Sequence, residues 1–217
     1  MDKTLLVCRF NRDVGWVEQL RSQYDIIILQ KYDKHSFIYQ ESIREFQPRL
    51  FREVVDQGKL DDYLKEVPEG FYPNIGVDAH VFFSYICENY NNLNNITVFT
   101  HENPIHHCQD FIKELQTLSN DIDFKEFGVL FKCDGNGKGE DSGTPVAEVY
   151  ELMFEQPAPE QFTFVSGSLF AVSRNNILQH DIDFYKKARD LTLTNWRYPW
   201  AFERLYRLIF GSTNDII

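Results

Sequence analysis

Two short apolar runs, Leu5-Leu-Val-Cys-Arg-Phe10 and Tyr24-Asp-Ile-Ile-Ile-Leu-Gln-Lys31, decide the fold class of this chain. Each run is rich in aliphatic residues and is typical of a buried strand. Polar residues at 11–13 end the first run, and apolar residues then recur at helical spacing over 14–20. A strand, a helix and a second strand in so short a stretch predict a βαβ unit with parallel strands.

The rest of the chain continues the alternation of helices and strands. A regular apolar pattern over 79–90 predicts an amphipathic helix with Asp78 as its N-cap, and Ile96–Thr100 reads as the next strand. Weaker patterns predict one or two helices in 42–64 and further helices over 109–118, 176–189 and 200–210. They also predict strands over 128–132 and, with a kink at Ser166-Gly167, over 162–173. We find no repeat or linker, and we expect one α/β domain over residues 1–217, with a central, mostly parallel mixed sheet flanked by helices.

Composition and charge argue against several classes of function. The 217 residues carry 22 Lys and Arg against 33 Asp and Glu, a net charge of −11, which argues against a nucleic-acid partner. No apolar stretch is long enough for a membrane span, and the N-terminus lacks a signal-peptide core, so we expect a cytoplasmic protein. The four cysteines form no Cys-x-x-Cys pair, and we expect them to be free thiols in a reducing compartment.

Three common nucleotide and hydrolase motifs are missing from the sequence. The first strand is not followed by Gly-x-Gly-x-x-Gly, which disfavours a dinucleotide-binding Rossmann site. The chain has no P-loop motif and no Gly-x-Ser-x-Gly elbow, which disfavours a P-loop NTPase and an α/β-hydrolase.

Polar residues gather where the predicted strands end. In open α/β sheets the ligand lies beyond the carboxyl ends of the strands, so these residues are candidates for binding. They combine cations, carboxylates and imidazoles, which suits an anionic ligand held together with a divalent metal. The candidates are Arg9, Asn11 and Arg12 after the first strand, Lys31 after the second, Gly76, Asp78 and His80 at the main helix, and His101 and Glu102 after the third strand.

Two sequence blocks resemble GT-A-type glycosyltransferases. The first joins Gly76-Val-Asp-Ala-His80 to the strand Thr97-Val-Phe-Thr-His-Glu102, and the second joins Val165-Ser-Gly-Ser-Leu-Phe-Ala-Val-Ser-Arg174 to Trp200-Ala-Phe-Glu-Arg-Leu205. Both blocks are similar to those of rhamnan-synthesis-type glycosyltransferases and of virus-encoded glycosyltransferase domains. The resemblance spans roughly residues 74–210.

The resemblance implies a GT-A-like domain that transfers a sugar from a UDP-sugar to a glycan or glycoprotein acceptor. It also implies Mn²⁺ or Mg²⁺ as cofactor, and a role in viral capsid-protein glycosylation in the host cytoplasm. We expect Asp78, His80 and His101 to bind the metal, and Glu203 or Glu102 to act as the catalytic carboxylate. The expected donor-binding residues are Arg9, Asn11, Arg12, Lys31, Gly76, Ser166 and Gly167.

One departure from the GT-A pattern bears on the metal. GT-A enzymes carry Asp-x-Asp at the end of a central strand, whereas this strand ends Thr100-His-Glu-Asn103. Asp78-Ala-His80, one element earlier, is the nearest substitute. The uncapped end Asn214-Asp-Ile-Ile217 predicts further domains in a longer parent chain.

Other functions and plainer roles stay open at this point. A metal-dependent phosphoester or nucleotide hydrolase would need a denser carboxylate cluster, and a non-catalytic carbohydrate-binding module would bind glycan but no nucleotide. Asp78 is also explained as a helix cap, and Glu203 as half of a Glu–Arg pair. The aromatic residues Trp196, Tyr198 and Trp200 suit a sugar-stacking platform or the packing of a terminal helix.

Overall fold

The computed structural model describes residues 2–32, 43–134 and 143–211, with side chains in the second range from residue 47. Eight strands occur in these ranges. In chain order they are β1 (Lys3–Arg9), β2 (Asp25–Tyr32), β3 (Phe71–Pro73), β4 (Ile96–His101), β5 (Phe124–Glu126), β6 (Leu130–Asp134), β7 (Gln161–Val165) and β8 (Phe170–Ser173).

Six of these strands form the main sheet, in the order β3-β2-β1-β4-β8-β5. The strand β1 pairs in parallel with β2 and β4, and β2 pairs in parallel with β3. Only β8 runs antiparallel to its neighbours β4 and β5. The predicted α/β fold with a mostly parallel mixed sheet flanked by helices is therefore confirmed. The strands β6 and β7 form a separate antiparallel ribbon.

Helices connect and cover the strands. The α-helices are α1 (Ile43–Val54), α2 (Leu60–Glu66), α3 (Val77–Asn89), α4 (Phe111–Gln116), α5 (Val146–Phe154), α6 (Arg174–Ile177), α7 (Ile182–Leu191) and α8 (Tyr198–Phe210). Two 3₁₀ turns lie at Gly15–Leu20 and Pro104–His106. No helix in the three described ranges has the length and hydropathy needed to cross a membrane.

The alternating side chains of β1 enter two separate apolar cores. Leu6 and Cys8 face a large core formed with α3, α5, α7 and α8, whereas Leu5 and Val7 face a smaller core formed with the 3₁₀ turn Gly15–Leu20 and α4. Burial on both faces explains why β1 reads as a continuous apolar run. A third cluster joins α1 and α2 to Ile75.

Several elements differ from the sequence-based predictions. The 14–20 segment is a 3₁₀ turn, and the helix predicted at 79–90 starts at Val77 and is buried without a break from Ala79 to Ile86, so it is not amphipathic. The predicted kinked strand is two strands, β7 and β8, in different sheets. The short strands β3 and β5 and the helix α5 were not predicted. All four cysteines are free, and three of them are buried.

Candidate functional site

A pocket lies beyond the carboxyl end of the parallel strands, where α3, α8 and the β7–β8 turn meet. It encloses ≈ 250 Å³ of space, part of it open to solvent. Because this volume includes open solvent, the site is a shallow, half-open cleft. Its lining combines two carboxylates, a hydroxyl and apolar groups, namely Val77, Asp78, Ala79, Ser168, Pro199, Trp200 and Glu203.

Two residues that line this pocket have strained backbones. Val77 has φ = 54° and Ser168 has φ = 53°, in the left-handed region that non-glycine residues avoid. Each follows a glycine that also has positive φ, Gly76 and Gly167 respectively. Of the described residues other than glycine, only Glu155 shares this conformation. Such strain costs about 1–3 kcal/mol per residue and concentrates at functional sites, which favours a binding role for the pocket.

The Asp78 carboxylate is held by a buried lysine. Lys31 Nζ on β2 donates to Asp78 Oδ1 at 2.9 Å, and both side chains are largely buried. Burial alone would raise the pKa of Asp78, but the Lys31 ammonium, His101 and the Cys8 thiol together outweigh it and lower the pKa below its ordinary value. Burial would likewise lower the pKa of Lys31, but the Asp78 charge raises it. The two groups are thus both charged at neutral pH and neutralise each other.

Glu203, on the second turn of α8, provides the other carboxylate. Burial raises its pKa above the ordinary value, although Arg204 and the Gly167 backbone N–H act in the opposite direction. The Ser168 hydroxyl lies 3.4 Å from Glu203 Oε2. A carboxylate with a raised pKa is a stronger base, so Glu203 is chemically suited to accept a proton from a bound hydroxyl.

His101 ends β4 beside Asp78. Its Nδ1 accepts the Asn103 backbone N–H at 3.1 Å, so in the neutral ring the hydrogen lies on Nε2. Burial lowers the pKa of His101 to about 4, although the Asp78 charge opposes this, and the ring is therefore neutral at pH 7. The Nε2 atom is buried and has no hydrogen-bond partner among the described residues.

Glu102 does not reach the pocket. Its Oε2 accepts backbone N–H groups from three consecutive residues, Phe10, Asn11 and Arg12, at 2.8–3.0 Å. The carboxylate thereby fixes the loop after β1, in the way that successive N–H groups form an anion-binding nest. The structure gives Glu102 a role in shaping this loop instead of the catalytic role expected from the sequence.

None of the remaining donor-binding candidates lines the pocket. Arg9 donates from Nε to the Arg12 carbonyl, and the Arg12 side chain is exposed, with its Nε 3.9 Å from Glu102 Oε1. Asn11 is exposed in the same loop. Ser166 and Gly167 lie in the β7–β8 turn, where a Cβ on Gly167 would stand only 2.5 Å from the His107 ring. The glycine is therefore needed for packing against His107.

His80 and Gly76 belong to the opposite side of α3. His80 Nδ1 lies 2.9 Å from Thr192 Oγ1, buried and directed away from Asp78. A Cβ on Gly76 would stand 2.7 Å from His80 Cβ and 2.9 Å from Thr192 Oγ1. Asp78 and His80 both lie within α3, two residues apart, so their side chains point to different faces of the helix. The structure thus assigns packing roles to both residues.

The three expected metal ligands do not form one ligand set. His80 faces Thr192, Asp78 is paired with the Lys31 ammonium, and His101 presents a hydrogen on Nε2 where a metal ligand needs a lone pair. In the described ranges no group of three or more His, Cys, Asp or Glu side chains is arranged to hold a metal. The donor set of Asp78, His80 and His101 therefore does not fit a divalent cation.

Comparison with known proteins adds no relative. No protein-family model, no curated protein and no solved structure matches the chain.

The structure brings together Lys31, Asp78, His101 and Glu203 from the predicted set and adds residues that the sequence did not single out. Val77 and Ser168 have the strained backbones, and Trp200 alone of the three aromatic candidates lines the pocket. Tyr198 instead donates to Glu148, and Trp196 packs beside the third apolar cluster. The sequence signal for the strained residues is the preceding glycine, in Gly76-Val77 and Gly167-Ser168, because glycine often occurs at an unusual turn.

Proposed function

We propose that this protein is a glycosyltransferase that moves a sugar from a UDP-sugar to a hydroxyl of a glycan acceptor. The observation that carries the proposal is the pocket in which Asp78, Glu203 and Trp200 meet beyond the strand ends. Carboxylates accept hydrogen bonds from sugar hydroxyls, and an indole ring packs against the apolar face of a sugar ring. The two blocks that resemble GT-A-type glycosyltransferases contain all three residues.

Glu203 is the proposed base. Its carboxylate takes the proton of the acceptor hydroxyl while the hydroxyl oxygen bonds to the anomeric carbon of the sugar. The bond from that carbon to the diphosphate breaks, and the nucleoside diphosphate leaves with the electron pair. Burial, which raises the pKa of Glu203, strengthens it for this step. A base in this role corresponds to inversion at the anomeric carbon.

Arg9 and Arg12 are the proposed contacts for the diphosphate. Arg9 ends β1 and Arg12 lies in the loop that follows it, neither of them lines the pocket, and the Arg12 side chain is exposed. Guanidinium groups bind phosphate oxygens through paired hydrogen bonds. A divalent cation, a viral glycoprotein acceptor and a cytoplasmic location stay predictions from the resemblance, and titrations with and without Mn²⁺ test the first of them.

The test is turnover of a panel of UDP-sugars, followed as released UDP, with and without oligosaccharide acceptors. Glu203→Gln should abolish acceptor-dependent release and leave UDP binding intact. The matched control is Glu126→Gln. Glu126 is also buried, but its Oε2 lies 2.7 Å from the Arg207 guanidinium, and it does not line the pocket. That variant should lose stability and keep the specific activity of its folded fraction. Full activity of Glu203→Gln contradicts the proposed base.

A carbohydrate-binding module is the second candidate, and the same pocket favours it, since Trp200 and two carboxylates also suit simple glycan binding. Binding of monosaccharides or glycans without any binding of UDP or UDP-sugar supports the module. Release of UDP or phosphate that is independent of acceptor supports a hydrolase instead.

A further inference from the structure

Ser168 lies in the turn between β7 and β8 and lines the pocket together with Glu203. Its hydroxyl oxygen lies 3.4 Å from Glu203 Oε2, within hydrogen-bond distance. An ionised carboxylate can only accept a hydrogen bond, so the hydroxyl is the donor in this contact. The contact therefore constrains one of the two carboxylate oxygens of Glu203 inside the pocket.

The turn that contains Ser168 is held in place on both sides of the serine. Before it, the His107 ring packs so closely against Gly167 that a Cβ there would stand 2.5 Å from the ring. After it, the Leu169 carbonyl accepts the Phe127 backbone N–H at 2.9 Å. Because these contacts fix the backbone around Ser168, its hydroxyl can orient a neighbouring side chain.

The backbone of Ser168 has a conformation that suits glycine better than serine. Its φ of 53° lies in the left-handed region, where a Cβ is unfavourable and glycine is not. Serine nevertheless provides a hydroxyl at this position, which a glycine would lack. The contact with Glu203 gives that hydroxyl a use that offsets the strain.

Several groups act on the charge of Glu203. Burial has the largest effect and raises its pKa, and the Asp78 charge acts in the same direction. Three groups lower the pKa, namely the Arg204 guanidinium, the Gly167 backbone N–H and the Ser168 hydroxyl. The Tyr206 phenol, on which Ser168 and Glu203 both act, keeps its proton, because burial raises its pKa well above the ordinary value. Ser168 therefore stabilises the ionised form of Glu203, which is the form that accepts a proton.

We propose that Ser168 is a positioning residue for Glu203, whose carboxylate it holds through Oε2 in the orientation that accepts the proton of the acceptor hydroxyl. This inference rests on the proposed function, since it takes Glu203 to be the base. With Oε2 held by Ser168, Oε1 is the oxygen that receives the proton. A base held in the correct orientation accelerates the reaction, because less orientational freedom is lost in the transition state.

The test compares pH profiles of UDP-sugar turnover for the wild type, Ser168→Ala and Ser168→Gly. The base acts only when ionised, so kcat/KM falls as the pH decreases through the pKa of Glu203. Loss of the hydroxyl removes a hydrogen bond from the ionised form, so this fall should begin at higher pH in both variants. At pH values where Glu203 is fully ionised, we expect kcat to be about tenfold lower and KM for the donor to be unchanged.

Two further variants complete the comparison. Ser168→Gly guards against misfolding of Ser168→Ala, because glycine readily adopts φ = 53°. Ser173→Ala is the matched control, since the hydroxyl oxygen of the buried Ser173 accepts the Asn176 backbone N–H at 3.1 Å at the start of α6. The control should lower stability and leave the pH profile and the kcat of the folded fraction unchanged.

A direct titration of Glu203 separates the contact from the activity. In ¹³C NMR of carboxyl-labelled glutamate, with Glu203→Gln used to assign the signal, the pKa of Glu203 should be higher in Ser168→Ala than in the wild type. An unchanged pKa, or an unchanged kcat with a raised KM, overturns the positioning role while the proposed function stands. A wild type that turns over no UDP-sugar overturns both.

Discussion

Lys31 Nζ and Asp78 Oδ1 lie 2.9 Å apart at the end of the parallel strands, with their side chains only 7 % and 16 % exposed. A buried pair of this kind owes little net stability to its mutual attraction, because both charges have lost their hydration. Its removal from one side only, however, leaves an uncompensated charge in the core. Substitution of one partner therefore tests directly whether the ion pair is buried.

Asp78→Asn should destabilise the protein by about 3–5 kcal/mol, because Lys31 is left buried without its counter-charge. The double variant Lys31→Met/Asp78→Leu should recover much of this loss, since neither charge remains. Urea unfolding measures both. The control is Asp62→Asn, in an exposed pair with Lys65, which should change stability little. Full stability of Asp78→Asn would contradict the buried pair.

A second pair of variants distinguishes the structural role of Glu102 from the proposed catalytic role of Glu203. Glu102→Ala leaves the N–H groups of Phe10, Asn11 and Arg12 without their acceptor and should cost about 1–3 kcal/mol of unfolding free energy. Turnover by its folded fraction should persist, whereas Glu203→Gln should lose turnover. The exposed Glu69→Gln is the control for denaturant unfolding. Loss of turnover in Glu102→Gln at wild-type stability would restore Glu102 as the base.

The strained residue Val77 offers a prediction on stability and activity together. Val77→Gly relieves a left-handed conformation at φ = 54° and should leave stability unchanged or raise it by about 1 kcal/mol, despite the loss of a side chain. Sugar affinity should fall, because Val77 lines the pocket. Glu155→Gly, at φ = 57° and outside the pocket lining, should gain stability with no change in affinity. Equal affinity losses in both variants would contradict a local role.

Acid should weaken the fold through two buried histidines. Burial lowers the pKa of His80 and of His101 to about 4, whereas the unfolded chain keeps values near 6.5. Between these limits the unfolded state binds protons that the folded state does not, so stability falls as the pH decreases from 6.5 to 4. Each histidine contributes at most about 1.4 kcal/mol per pH unit.

Denaturant unfolding at several pH values measures this slope. His80→Asn should reduce it by removing one of the histidines whose pKa burial lowers. A slope in His80→Asn equal to that of the wild type would show that His80 is not the titrating group.

Much of the sheet can be predicted from the sequence because β1 and β4 are buried on both faces and read as continuous apolar runs. The strands β3 and β5 have three residues each, too few to show a period. The boundary between β7 and β8 depends on which sheet each strand joins, and no local pattern contains that information.

Some residues of the site can likewise be predicted from the sequence, whereas others depend on how the strands pair. Asp78 and Glu203 can be found from the strand ends and the resemblance. The use of Glu102 cannot be found locally, because it depends on the register that places Cys8 opposite His101. Only this pairing brings residue 102 next to the loop after β1.

Helix α8 contributes Trp200 and Glu203 to the pocket lining, while Phe202, Leu205 and Phe210 fill the largest apolar core. Binding and folding thus share one helix, with neighbouring residues in each role. During divergence of this protein, substitutions along α8 that change the pocket will also change the packing of the core.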